Sequence, residues 1–97
     1  MERIIQITAG RGPAECAWVV AQVLKKVLDE AQELGLKTIL LQREVGVENG
    51  TVETATISLK GEFAGTFANS WIGTIQWIGQ SQFRKMHKRK NWFIGIA

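Results

Sequence analysis

Hydrophobic residues recur at intervals of three and four along residues 14–34 of the chain. This spacing places them on one face of a helix, so it predicts an amphipathic α-helix roughly 30 Å long. Pro13 suits the first helical position, where its missing N–H costs no hydrogen bond, and Gly35 suits the C-terminal stop. The pattern therefore predicts one long helix that covers an apolar surface.

Five shorter segments are rich in β-branched residues or alternate between apolar and polar residues, which is typical of strands. Between the third and fourth of them, aromatic residues at every fourth position predict a short helical turn. The order β-α-β-β-(short α)-β-β predicts an α+β fold in which one long helix packs on a largely antiparallel sheet. The predicted strands are 3–8, 37–44, 51–59, 74–78 and 91–96, and the aromatic residues of the turn are Phe63, Phe67 and Trp71.

The length of 97 residues, with 45% hydrophobic and 22% charged residues, indicates one globular domain. The longest apolar run, 17–21, is too short to span a bilayer, so we expect no membrane partner. The N-terminus lacks a secretory signal pattern, and a lone Cys16 can form no internal disulfide, which together fit a cytoplasmic protein. The apolar last residues are typical of a domain excised from a longer protein.

The basic character of the chain is concentrated in one segment. Five of the seven residues in 84–90 are Lys or Arg, and without them the formal charge changes from +3 to −2. Phe83 and Trp92 flank this cluster, so it combines charge for phosphates with flat rings for bases. The alternative is a solvated loop whose charge serves solubility, and composition alone leaves both interpretations open.

Three segments resemble the bacterial class I peptide chain release factors. Residues 9–16 resemble the Ala-Gly-x-Gly-Gly-x-Glu-Ala turn that opens their long helix, and residues 73–77 stand where they carry Gly-Val-His-Arg. Residues 81–83 occupy the place of their Ser-Pro-Phe tripeptide, which reads the stop codon. The similarity is greater to the family's homologues found beside RNA-repair genes, which share Gly-Pro-x-Glu-Cys, Trp-x-Gly-Thr-x-Gln-Trp-Ile and Arg-Lys-Asn-Trp-Phe.

The resemblance implies that residues 1–97 form a single codon-recognition domain. Such a domain inserts into the decoding centre of the small ribosomal subunit and contacts mRNA or ribosomal RNA, in translation termination or ribosome rescue. The family's catalytic Gly-Gly-Gln loop does not occur in this chain. We therefore expect a monomer without catalytic residues, cofactor or small-molecule substrate, and any peptidyl-tRNA hydrolysis would belong to the full-length protein. For the repair-associated homologues the implied target is a ribosome with damaged small-subunit RNA.

The resemblance assigns contacts with the first codon base to Gly12 and Glu15. A carboxylate repels phosphates, so Glu15 would have to accept a hydrogen bond from the ring N–H of a base. The alternative is a purely structural role, in which Glu15 stabilises the helix dipole or bonds the N–H groups of the first turn.

The tripeptide match assigns RNA reading to Ser81, Gln82 and Phe83. Gln82 replaces the family's Pro and adds an amide, while Phe83 is equally suited to stacking on a base or to anchoring the loop. Lys90 and Asn91 align with the family's His, which stacks between codon bases, and with its Thr, which reads the third base. These replacements favour altered RNA recognition over standard reading of three stop-codon positions.

The remaining cations of the cluster are expected to hold the RNA backbone. If about five phosphates are neutralised, the logarithmic salt dependence of binding should have a slope near −3.5. These expected phosphate-binding residues are Arg84, Lys85, Lys88 and Arg89, with Lys90 as the fifth cation.

One cysteine and one histidine are too few for a zinc site, so no metal is expected. Cys16 is expected to pack in the core, and His87 to add to the basic surface. Of the four tryptophans, Trp92 is expected either to support the basic loop or to stack on RNA, and the core is expected to hold Trp18, Trp71 and Trp77.

Two other functions compete with decoding. The first is a general RNA- or protein-binding adaptor with the same fold, and the second is a stand-alone hydrolase, which lacks a paired acid, base and nucleophile in the sequence. Decoding requires Gly12 and Ser81 to lie on the same side of the molecule, so their relative position is a direct structural test.

Overall fold

The computed structural model describes all 97 residues. It contains every predicted element, and the short aromatic turn is a helix of two turns. The α+β prediction is therefore confirmed. The elements are β1 (Glu2–Thr8), α1 (Ala14–Glu33), β2 (Lys37–Val45), β3 (Val52–Lys60), α2 (Ala64–Trp71), β4 (Gly73–Ile78) and β5 (Asn91–Ile96).

The strands form one sheet in the order β2-β3-β1-β5-β4, and all neighbours are antiparallel. β1 pairs with β3 along its whole length but with β5 only at its end, where Ile7 faces Ile96 and Thr8 faces Gly95. The β4–β5 hairpin therefore extends beyond the end of β1. It projects at the same end of the molecule as the turn into α1 and the tip of the β2–β3 hairpin.

Helix α1 is positioned by signals at both of its ends. Pro13 precedes its first residue, and Gly35 follows its last turn with a φ of +74°. The N–H groups of Gly35 and Leu36 donate to the carbonyls of Gln32 and Ala31, which closes the helix in a Schellman motif. The predicted C-terminal stop of the helix at Gly35 is thus confirmed. Neither α1 nor α2 has the length and apolar character needed to cross a bilayer.

The apolar stripe of α1 packs on one face of the sheet and forms a single core with α2. Each aliphatic side chain that is fully buried there contributes roughly 1.5–3 kcal/mol through removal of apolar surface from water. The most buried core members include Ile5, Ile7, Val19, Val20, Val27, Ile57 and Leu59.

The tryptophans divide differently from the prediction. Trp92 is the largest fully buried side chain, with 1% of its surface exposed, whereas Trp18, Trp71 and Trp77 only line the core. Trp92 lies inside because it shares the buried face of β5 with Ile94 and Ile96, while the residues between them are not buried. Of the two expectations for Trp92, the structure therefore favours support of the loop over stacking on RNA.

Candidate nucleic-acid interface

The turn between β1 and α1 brings the helix start close to its own first side chains. The N–H of Gly12 donates to the carbonyl of Ala9 at 3.1 Å, and a Cβ on Gly12 would lie 2.8 Å from Sγ of Cys16. Cys16 is buried, as expected, and burial raises the pKa of its thiol. Glycine is therefore required at position 12 for close packing of the turn on the helix.

Glu15 connects this helix start to the basic loop, which we define as residues 79–90. Its carboxylate is only 3% exposed. Oε2 accepts hydrogen bonds from Oγ of Ser81 at 2.5 Å and from Nε of Arg84 at 2.7 Å. The expectation that Gly12 and Ser81 lie on the same side of the molecule is thus confirmed.

Ser81 uses its hydroxyl fully within the protein. While Oγ donates to Glu15, it also accepts hydrogen bonds from the backbone N–H groups of Phe83, at 3.1 Å, and Arg84, at 2.9 Å. One donated and two accepted bonds exhaust the capacity of a hydroxyl. Ser81 therefore shapes the first turn of the basic loop in the free protein.

The charge of Glu15 is strongly stabilised. Burial alone would raise its pKa, but the hydrogen bonds from Arg84 and Ser81 outweigh burial and lower the pKa from 4.5 to about 2. The same bond to Glu15 raises the pKa of Arg84. Glu15 is thus ionised at neutral pH, and its partners are side chains of the loop.

The two ends of the basic loop contact Trp92. The guanidinium carbon of Arg89 lies 4.8 Å from the Trp92 ring centroid, and the ring N–H donates to the carbonyl of Gly79 at 2.9 Å. Nε of Arg89 also donates to the carbonyl of Asn91 at 2.8 Å, and its backbone N–H donates to Nδ1 of His87 at 3.1 Å. Arg89 is therefore held between a ring and a carbonyl.

The three lysines of the loop differ from its two arginines. Lys85, Lys88 and Lys90 are exposed and form no side-chain hydrogen bond or ion pair within the chain. An ammonium on a flexible stem can adapt to a phosphate, whereas the planar guanidinium is suited to fixed partners. The cationic cluster thus consists of two fixed arginines and three free lysines.

The other residues expected to read RNA lie on the same end. Gln82 is exposed and Phe83 is half-buried, so Phe83 is neither fully free nor a fully buried anchor. Asn91 is exposed, and its Oδ1 accepts a hydrogen bond from Nε2 of Gln76 on the neighbouring strand at 2.9 Å. Sequence reasoning missed this amide pair, although the alternation of β4 places Gln76 on the polar side.

Arg11 is a further exposed cation in the turn before α1 that sequence reasoning did not single out. Its position two residues after Ala9 in a glycine-rich turn could have indicated it. No group of three or more His, Cys, Asp or Glu side chains is arranged to hold a metal ion.

Comparison with known proteins shows which proteins share this fold. No protein-family model matches the chain. A peptide chain release factor homolog of Escherichia coli is 40% identical over 94 residues, which cover 97% of this chain and 46% of that protein. The fold matches that of RF2 of Thermus thermophilus with a TM-score of 0.87, at 24% identity, over 97% of this chain and 26% of that one.

The structure is therefore that of a release-factor-like domain. The chain is similar to a peptide chain release factor homolog over nearly its whole length, as its sequence motifs predicted. It spans about half the length of the curated relative that it matches.

Proposed function

We propose that this domain binds in the A site of the ribosome and contacts the RNA of the small-subunit decoding centre or the mRNA. It would act there in translation termination or ribosome rescue, in the cytoplasm. The observation that carries this proposal is the bond of Glu15 to Ser81 and Arg84. It joins the two segments to which the family resemblance assigns RNA reading.

The free lysines give this surface its attraction for RNA. We assign phosphate contacts to Lys85, Lys88, Arg89 and Lys90, while the charge of Arg84 is balanced by Glu15 at 2.7 Å. With about four phosphates neutralised instead of five, the expected slope of log affinity against log salt is near −2.8.

Reading of the nucleotides falls to the exposed groups beside these cations. Gln82 offers an amide donor and acceptor, Phe83 keeps part of its ring accessible, and Asn91 retains donors that Gln76 does not use. The exposed turn that contains Gly12 lies at the same end of the molecule. Since Gln82, Lys90 and Asn91 differ from the family's motif, we propose recognition of an altered RNA, such as a damaged decoding centre.

The domain itself would bind without catalysing a reaction. Its sequence contains no Gly-Gly-Gln, so hydrolysis of peptidyl-tRNA, if the full-length protein promotes it, would use residues outside this chain. The domain is proposed to act as a monomer and without a cofactor.

Chemical footprinting of small-subunit RNA, on intact and decoding-centre-cleaved ribosomes, tests the proposal. Protection confined to the decoding centre supports it, and stronger protection on cleaved ribosomes supports the rescue function. Diffuse protection would instead support a general RNA-binding adaptor, and no protection at saturating protein would contradict the proposal. Turnover of an ester by the chain alone would favour the stand-alone hydrolase.

A further inference from the structure

We propose that Glu15 is a positioning residue, which fixes the shape of the basic loop before RNA arrives and does not itself read a base. This inference rests on the proposed function, since the loop is taken to be the RNA-binding element. It differs from the role that the family resemblance implies for the matching glutamate.

The geometry of the Glu15 carboxylate supports a positioning role. Glu15 lies on α1, 66 residues from Ser81 and 69 residues from Arg84, and bonds both through one oxygen. A base that approached Glu15 would have to reach a carboxylate that is only 3% exposed and whose Oε2 already accepts two charge-assisted bonds. The buried group is therefore occupied in the free protein.

Glu15 also orients the hydroxyl of Ser81, which further supports a positioning role. By accepting the hydroxyl hydrogen, Glu15 directs the oxygen lone pairs of Ser81 toward the N–H groups of Phe83 and Arg84. One carboxylate thus fixes the backbone of residues 81–84 through a single hydroxyl. A backbone that is already ordered loses less conformational entropy when RNA binds. The bond between Glu15 and Ser81 therefore favours RNA association.

The repulsion among the cations of the basic loop also supports a positioning role for Glu15. Arg84 stands among four further cations of the loop, Lys85, Lys88, Arg89 and Lys90. Like charges at such short spacing repel one another and favour open loop conformations. The ion pair with Glu15 compensates one cation and ties its backbone to the helix, whereas no other acidic residue forms an ion pair with the loop.

Amide hydrogen exchange of the free protein tests the positioning role without any RNA. In Glu15→Gln, and independently in Ser81→Ala, the amides of Phe83 and Arg84 should exchange about tenfold faster or more, because their acceptor is lost or misoriented. Glu53→Gln is the matched control, since Glu53 lies at the same end but its side chain bonds no loop residue. Unchanged exchange in Glu15→Gln would overturn the proposal, even if Ser81→Ala exchanges faster.

A double-mutant cycle on ribosome binding tests the same claim with RNA. We expect Glu15→Gln and Arg84→Gln each to weaken binding about tenfold, and the double variant to bind no worse than the weaker single variant. The salt slope of Arg84→Gln should stay unchanged, since the charge of Arg84 is balanced by Glu15 and is not assigned to a phosphate. If the two effects multiply, Glu15 contacts RNA independently and the proposal is wrong.

The two experiments separate this inference from the proposed function. A wild-type chain that fails to protect the decoding centre contradicts the proposed function, whatever the exchange rates of the loop. Decoding-centre protection together with multiplicative effects of the two substitutions contradicts only the positioning role.

Discussion

The connection between β2 and β3 is held by bonds within itself, whereas the connection between β4 and β5 is held both by local bonds and by bonds to the rest of the protein. In the first, the N–H of Gly46 donates to the carbonyl of Thr51 at 3.1 Å, and Oγ1 of Thr51 donates to the carbonyl of Glu48 at 2.5 Å. In the second, α1 contributes Glu15 and β5 contributes the buried ring of Trp92.

The difference follows from length and charge. A short turn with Asn49 and Gly50 favours its own conformation, since Gly50 has a φ of +76°. The basic loop is longer, and its five cations repel one another, so bonds to α1 and β5 add to its local bonds in defining one conformation. Long-range bonds to a loop indicate that its shape, and not only its charge, serves the proposed interaction.

The largest expected effect is loss of the support beneath the basic loop. Trp92→Ala removes a ring that is 1% exposed, so it should lower the free energy of unfolding by about 3–5 kcal/mol. Urea denaturation measures this change. Phe93→Ala is the control, because Phe93 is 48% exposed and its loss should cost much less. Equal costs for the two substitutions would mean that Trp92 does not support the loop.

The next effect is a pH dependence that only the β4–β5 connection should have. The pKa of Glu15 is lowered from 4.5 to about 2, so its charged form stabilises the folded state by up to about 3 kcal/mol. This contribution is complete above the unfolded pKa of 4.5 and is lost as the pH falls toward 2. The difference in unfolding free energy between wild type and Glu15→Gln should therefore shrink from pH 6 to pH 2, and a constant difference would contradict this account.

A smaller effect, on RNA binding alone, is expected from the free lysines. Replacing Lys85, Lys88 and Lys90 with Gln should reduce the magnitude of the salt slope by about 2 and weaken binding roughly fiftyfold at physiological salt. The unfolding free energy should stay within about 0.5 kcal/mol of wild type, since these side chains bond nothing in the chain. A filter-binding titration over several salt concentrations measures the slope.

The matched control for this triple variant removes three exposed lysines elsewhere, at positions 25, 37 and 60. It has the same net charge but should keep the wild-type slope. If both triple variants weaken binding equally, then net charge and not the basic loop attracts the RNA.

The smallest effect is expected at the tip of the other hairpin. Val47 is fully exposed, so Val47→Ser should change the unfolding free energy by less than about 0.5 kcal/mol and leave ribosome binding unchanged. Thermal denaturation and the same binding titration measure both quantities. A loss of binding comparable to that of the lysine variant would show that the two hairpins contribute alike.

The elements of this fold were predictable because their signals are local. The interval pattern with Pro13 and Gly35 gave a helix over 14–34, and α1 spans Ala14–Glu33. The strands were predictable from β-branched residues and from the alternation of apolar and polar residues. The burial of Trp92 was also predictable in principle, because residues 92, 94 and 96 lie on the same face of β5, but proximity to the basic cluster left stacking on RNA open as an alternative.

The internal bonds of the site were not predictable in the same way. Nothing local to residue 15 indicates a partner 69 residues away, and the two arginines of the cluster look like the three lysines in the sequence. Their different environments arise only when β5 brings Trp92, and α1 brings Glu15, to the loop. The family resemblance predicted where the site lies, but not the division of its cations into fixed and free ones.

The central claim is that the basic loop contacts decoding-centre RNA, and site-directed photo-crosslinking on the ribosome tests it most directly. A photoreactive group is attached at position 88 through Lys88→Cys, in a Cys16→Ala background, and the crosslinked nucleotides are mapped by reverse transcription. We expect crosslinks confined to nucleotides of the small-subunit decoding centre, or to mRNA in the A site. Crosslinks spread over ribosomal RNA, or confined to another site, would contradict the account.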